Sequence, residues 1–343
     1  MPAYVPPPRP GIIPLRPLGL GEMLDGAFQA CRRNPGATFG SAVIIMAVVS
    51  LLSWLVTSAT YDFDILLNPA ASDEQVFSFL GGYLGGSLLV SLVTAAGIFL
   101  LQGLLVLVVA RATLDRRTAF AQLWRLGAPR LPRLLLLLLL WCGAGAAATL
   151  LVGGLTALSV PALGWGAVLV GIVLAAGAGV AALWAGTKLC LAPAVLVLED
   201  CGVLASLRRS WRLTAANWWR TFGILLLTSL IAGVITSVVA TPVSLLAGLL
   251  AGSVAGDDPS AYLNLVLPAT LLVTNVFAAV AYAFQSSVTS LLYVDLRIRR
   301  EGFDVALLRE QENPRPDPDA VPGAGPVSAG PGSRPQPPSA PWS

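Results

Sequence analysis

The sequence predicts an all-α polytopic membrane protein. Its about six transmembrane helices form three pseudo-repeated hairpins, each preceded by a cytosolic amphipathic elbow helix. Three observations predict this. First, 56% of the 343 residues are hydrophobic and only 11% are charged, whereas a soluble domain carries about 25% charged residues. Too few polar residues exist to coat a soluble fold, so lipid must be the solvent for much of the surface. Second, the chain contains six long apolar runs without charge. Third, every lysine and arginine falls on one side of those runs.

The N-terminal segment, 1–18, is proline-rich and reads as extended and cytosolic. The membrane domain spans 19–310, with crossings at about 37–60, 81–110, 134–158, 164–187, 221–254 and 263–294. A crossing needs about 20 apolar residues, and each run meets that length. The first is too long for a signal-peptide core, so it reads as an uncleaved span. Pro242 in the fifth run marks a kink, because it removes one backbone donor. The segment 311–343 holds ten prolines after Glu312 and is expected to be disordered. Pro335, Gln336, Pro337 and Pro338 within it fit a short polyproline docking motif or a plain solubilising tail.

Orientation follows from charge. The loop at 61–80 carries Asp62, Asp64, Asp73 and Glu74, and the loop near 255–262 carries Asp257 and Asp258, with no base in either. The opposite side holds the arginines and Lys188. The positive-inside rule makes that side cytosolic and puts both termini there, and the bias to arginine (20 against one lysine) with much Ala, Gly and Pro suggests a GC-rich bacterial genome and hence a bacterial inner membrane.

The cytosolic segments have their own pattern. Leu20, Met23, Leu24, Ala27, Phe28 and Cys31 form one helical stripe before the first span. Leu207, Trp211, Asn217, Thr221, Phe222 and Gly223 match Leu24, Phe28, Asn34, Thr38, Phe39 and Gly40 at a constant offset of 183. Phe120, Leu123 and Trp124, with Arg116, Arg117 and Arg125 on the polar face, make a weaker copy. Phe303, Ala306 and Leu307 make a partial one. Each elbow would lie at the headgroups, its basic residues against anionic lipid. The candidate contacts to lipid or partner proteins are Arg32, Arg33, Arg116, Arg117, Trp124, Arg125, Arg208, Arg209, Trp211, Arg212, Trp218, Trp219, Arg297, Arg299 and Arg300.

No catalytic chemistry is legible. The chain has no histidine, which removes histidine-based nucleophile activation, acid–base catalysis and His-ligated metals. Cys31, Cys142, Cys190 and Cys201 form no C-x-x-C pair and are expected to be free thiols. No cofactor, metal or nucleic-acid partner is expected. The span interiors lack charge, which argues against an ion-coupled carrier. Gln102, Asn275 and Gln285 read as interhelical hydrogen-bonding residues. Glycines at four-residue spacing (Gly81 and Gly85, Gly82 and Gly86, then Gly248, Gly252 and Gly256) predict close helix contacts. An acid-based hydrolase would need convergence of Glu22, Asp25, Asp115, Glu199, Asp200, Asp295 and Glu301.

Two stretches carry a family resemblance: PLRPLGLGEMLDGAF from Pro14 to Phe28, followed by Arg32, Arg33, Asn34 and Pro35, and YVDLRIRREGFD from Tyr293 to Asp304. Together they resemble bacterial polytopic proteins similar to the membrane domain of glycerophosphoryl diester phosphodiesterase, over about 14–308. The resemblance implies a membrane module. The phosphodiesterase chemistry belongs to a separate catalytic domain that uses histidines and metal-binding acids, so no catalytic residue carries over. The expected function is a non-enzymatic module organising partners or anionic lipids at the inner leaflet. The alternative is a transport or lipid-translocation component working with a partner.

Overall fold

Among the described residues, every regular element of the computed structural model is helical. Those residues are 11–60, 73–164, 166–250, 253 and 266–311. Asp62, Asp64, Asp257, Asp258, Gly252, Gly256 and the proline motif at 335–338 lie outside them. The elements are α1 (Leu20–Arg33), α2 (Ser41–Thr60), α3 (Asp73–Ala112), α4 (Phe120–Gly127) and α5 (Leu131–Leu163). They continue as α6 (Gly166–Leu189), α7 (Ala192–Glu199), α8 (Val203–Thr214), α9 (Trp218–Leu250), α10 (Leu267–Glu301) and α11 (Phe303–Gln311). Six helices are long and apolar enough to cross a membrane, and they fall on the six predicted runs.

The crossings are not equivalent. Helices α2, α3 and α10 pack on one another, and α9 lies against α10. Half of the apolar window of α3 is buried, against only 6% of that in α6. The α5–α6 hairpin is therefore peripheral. It turns most of its surface to lipid, and its leucines (Leu139, Leu150, Leu169) are exposed as a bilayer solvent requires. Close packing depends on small residues at particular heights. A Cβ on Gly97 would come within 2.4 Å of Val49, and one on Gly103 within 2.6 Å of Leu134. The predicted glycine ladders behave differently. Gly82 approaches the Thr60 carbonyl, but Gly85 and Gly248 face open space. Four-residue spacing gives a helix a small-residue stripe without fixing which way it faces.

Several readings need correction. Residues 12–18 are not a segment apart from the membrane domain: Ile12, Ile13, Leu15 and Leu18 belong to its hydrophobic core. The stripe on α1 is rotated from the predicted one. Met23, Gly26, Ala27, Ala30 and Cys31 are buried, while Leu20 and Phe28 point outward. Arg116 and Arg117 precede α4 instead of riding on it. Helix α7 was not anticipated. All of it from Ala192 to Leu198 is buried, and it follows a break at Cys190 and Leu191, where Pro193 cannot donate to a continuous ladder. Helix α9 runs unbroken through Pro242.

Helices α1 and α8 begin 183 residues apart with the same start. Gly19 and Gly202 are extended N-caps (φ −78° and −71°). Their carbonyls accept the first helical bonds, from Met23 and Ser206. The register persists into the following spans. Thr38 N–H donates to Asn34 O and Thr221 N–H to Asn217 O, each at 2.9 Å. Both threonine hydroxyls are buried without a partner.

Gly97→Val should overpack the α2–α3 contact and cost about 1–3 kcal/mol. Gly85→Val should leave stability unchanged. The midpoint of thermal unfolding in detergent compares the two.

Candidate functional site

The arginine-bearing ends of the helices form the candidate site. Its frame is a buried carboxylate. Asp295, near the end of α10, has no exposed surface. Its Oδ1 accepts the Leu18 backbone N–H at 2.7 Å. Arg220, at the base of α9, and Arg299, one turn along α10, both pair with it. The same two arginines donate to the Leu18 carbonyl at 2.8 and 3.0 Å. Three parts of the chain remote in sequence thus meet at one residue, through both its backbone N–H and its carbonyl. Burying a carboxylate is costly unless it is paired and fully hydrogen-bonded, and this arrangement supplies both.

A second network lies beside it. Glu199, at the end of α7, accepts the Tyr293 hydroxyl at 2.9 Å and the Arg209 Nε at 3.0 Å. Arg209 also reaches Glu301 at 2.8 Å. Burial works against the charge on Arg209, but Glu199 and then Glu301 outweigh it and raise its pKa above the ordinary value. Arg297 completes the cluster, bonding Glu301 at 3.2 Å and lying 4.0 Å from the Phe303 ring centre. Smaller pairs join the connections: Arg33 with Asp115, Arg116 with Glu310, Arg133 with Asp200, and Arg16 with Glu22. Asp115 and Asp200 both have left-handed backbones (φ 64° and 47°), a conformation that aspartate tolerates at turns.

Six of the seven named carboxylates engage arginine, and Asp25 accepts from Gln29 at 2.7 Å. Among the described residues, no group of three or more His, Cys, Asp or Glu is placed to hold a metal. The four cysteines are free.

The predicted contact residues divide into two kinds. Arg33, Arg116, Arg209, Arg297 and Arg299 hold carboxylates and act as structural ties. Arg300 donates to the Arg212 carbonyl. By contrast, Arg32, Arg117, Arg208 and Arg212 form no ion pair among the described residues. Arg32 and Arg117 line a groove of about 390 Å³ with Asp25, Phe28 and Gln29. Arg208 and Arg212 line one of about 720 Å³ with Leu207, Trp211 and Leu189. At the offset of 183, Asp25, Phe28 and Gln29 on α1 correspond to Arg208, Trp211 and Arg212 on α8. The two grooves thus use the same helix face.

The aromatic residues are spread along this rim. Trp219 is 78% exposed and meets Trp218 edge-on, while Trp218 stacks on Phe222 at 5.2 Å. Trp124 packs on the core next to Phe120, and Arg125 is exposed. Lys188, read from the sequence only as a base on the arginine side, is not among the predicted contact residues. It is 8% exposed, and its ammonium lies 5.8 Å and 5.4 Å from the Trp184 and Trp211 ring centres. Its carbonyl accepts from Ser210 and Thr214, which pins α8 to the end of α6.

A family model described as a domain of unknown function (DUF7847) matches residues 74–296, well over half of the chain. No curated protein and no solved structure matches.

Removing one partner of a buried ion pair costs about 3–5 kcal/mol, so Asp295→Ala should strongly lower the unfolding midpoint in detergent. Arg133→Ala breaks a half-exposed pair and should cost about 1 kcal/mol or less. Equal effects would show that the Asp295 cluster is not the frame.

Proposed function

The chain belongs to the DUF7847 family, and from that premise we propose that it is a non-enzymatic membrane module that gathers anionic lipids at the inner leaflet. The observation that carries this reading is the division of the arginines. Those that stabilise the fold face carboxylates, whereas Arg32, Arg117, Arg208 and Arg212 line grooves at the rim without forming ion pairs among the described residues. A basic residue near a negative leaflet gains about 1 kcal/mol, and such residues seat an amphipathic helix in the headgroup plane. The outward Phe28 and Trp211 fit that plane, since each is apolar and exposed beside a groove.

The three-unit architecture belongs to the same proposal. Each unit is an elbow helix (α1, α4 or α8) followed by two crossings. The shared starts of α1 and α8, the paired Asn34–Thr38 and Asn217–Thr221 turns, and the equivalent groove faces support it. The arginine-rich side is cytosolic in this reading, because anionic headgroups and the positive-inside rule both favour it. The two end motifs resembling the phosphodiesterase membrane domain fit a shared membrane scaffold, and they bring no catalytic residue.

Tryptophan fluorescence in vesicles tests the proposal. Brominated phosphatidylglycerol should quench the rim tryptophans more than brominated phosphatidylcholine does. Replacing Arg32, Arg117, Arg208 and Arg212 by alanine should remove most of that difference, and added salt should shrink it. Equal quenching by the two lipids, or brisk hydrolysis of glycerophosphodiesters by the purified chain, would overturn the reading.

A further inference from the structure

An apolar cavity lies between the peripheral hairpin and the core. It holds about 410 Å³ between α3, α5 and the α6–α7 break. One wall is a single stripe of α3: Leu88, Leu92, Ala95, Phe99 and Gln102, spaced i, i+4, i+7, i+11 and i+14 as one helix face requires. Trp141, Gly145 and Ala146 of α5 face it. From Leu88 to Gln102 is 14 steps, about 21 Å at about 1.5 Å per residue. One leaflet of hydrocarbon is about 15 Å deep, half the core thickness. The cavity is therefore long enough to follow a chain through its leaflet. Its one amide is engaged, since Gln102 donates to the Cys190 carbonyl at 2.9 Å. An apolar cavity gives water too few partners, and leaving it empty forfeits contact on every wall. The bilayer offers one abundant filler, an acyl chain.

The cavity is continuous in its lining with the basic groove on α8. Leu189 lines both. That groove contains Arg208 and Arg212, one helical turn apart, and no acid. Trp211, in the same groove, carries the buried Lys188 ammonium against its ring. Among the described residues Lys188 meets neither a carboxylate nor a hydrogen-bond acceptor. The groove thus has two arginines in its lining and a buried lysine against its tryptophan, none of them in an ion pair among the described residues. The groove on α1 differs, because Asp25 is in its lining and its Arg33 is already tied to Asp115.

We infer that the α8 groove and the cavity form one bipartite site for an anionic diacyl lipid, with the phosphate on Arg208 and Arg212 and one acyl chain along the α3 stripe. This rests on the reading that the rim takes anionic headgroups, and adds a defined, stoichiometric site to it. The peripheral hairpin then serves as the outer wall for a bound chain.

Native mass spectrometry of the full chain in mild detergent, titrated with dioleoyl phosphatidylglycerol or phosphatidylcholine, tests it. One phosphatidylglycerol should be retained per chain, with about tenfold preference over phosphatidylcholine. Arg208→Ala with Arg212→Ala should abolish that preference. Ala146→Trp, and independently Ala95→Trp, should fill the cavity and weaken retention of both lipids about tenfold, with unfolding midpoints confirming that each variant is folded. If both tryptophan variants retain lipid as the wild type does while the arginine variant does not, the chain is not in the cavity. The bipartite site then fails, but the broader reading stands. If glycerol 1-phosphate binds as tightly as the lipid, the site takes only a phosphate, and the inference is overturned. Equal retention of the two lipids by every protein overturns both.

Discussion

A carboxylate with no exposed surface lies near the end of the last membrane helix, and much of the fold is organised around it. Asp295 cannot be buried as an ion without compensation, so it draws in Arg220, Arg299 and the Leu18 backbone. Arg220 and Leu18 each bring a remote part of the chain. Leu18 anchors the N-terminal segment, whose Ile13 and Leu15 fill the core. Arg220 fixes the base of α9, and Arg299, one turn along α10, closes the cluster. Within a bilayer, apolar contact between helices has no hydrophobic driving force. A charge cluster at the interface is therefore well suited to set which helices are neighbours. The Glu199, Arg209, Tyr293 and Glu301 network extends the same logic to α7 and α8.

The arginines consequently have two roles that sequence alone does not separate. In the sequence all fall at the same ends of the apolar runs, so the positive-inside rule treats them alike. What distinguishes them is whether a carboxylate folds back to meet them. Arg209 lies between Glu199 and Glu301, whereas Arg208 next to it points from the other side of α8 into a groove. Adjacent residues on a helix are about 100° apart. One helix can thus tie the fold together with one face and present cation to the headgroups with another.

This explains how much was legible. The six crossings could be read because a bilayer imposes length and apolarity on each one independently. The start of α8 could be related to that of α1 because the matching residues share a constant offset. The Asp295 cluster could not be read, because its partners lie up to 281 positions apart and no local spacing encodes them. A hint was nevertheless present: the two end motifs stand out from the generic spans, and they contain Leu18 and Asp295. Helix α7 was missed because it lies just past the fourth run and its residues from Ala192 to Leu198 are all apolar, which leaves no helical stripe to read. The glycine ladders misled because spacing defines a stripe, while Gly97 and Gly103 are identified only by what packs against them.

The peripheral position of the α5–α6 hairpin is the last consequence. The core helices are held by the charge clusters at their ends and by close contacts at Gly97, whereas α5 meets α3 closely at Gly103 and Leu134 and the hairpin helices otherwise turn most of their surface outward. Their leucines find lipid as good a neighbour as protein, so there is no hydrophobic gain in closing the gap to α3. In water such a gap would collapse or cost stability for each lost contact. In a bilayer hydrocarbon can fill it at little cost, and in the proposed site the same loose packing that would be a defect in a soluble core would make room for an acyl chain. Leu189 then matters for its location, at the junction of that room with the α8 groove. A lipid chain and its charged head need different surroundings a short distance apart, and the break after α6 places them side by side.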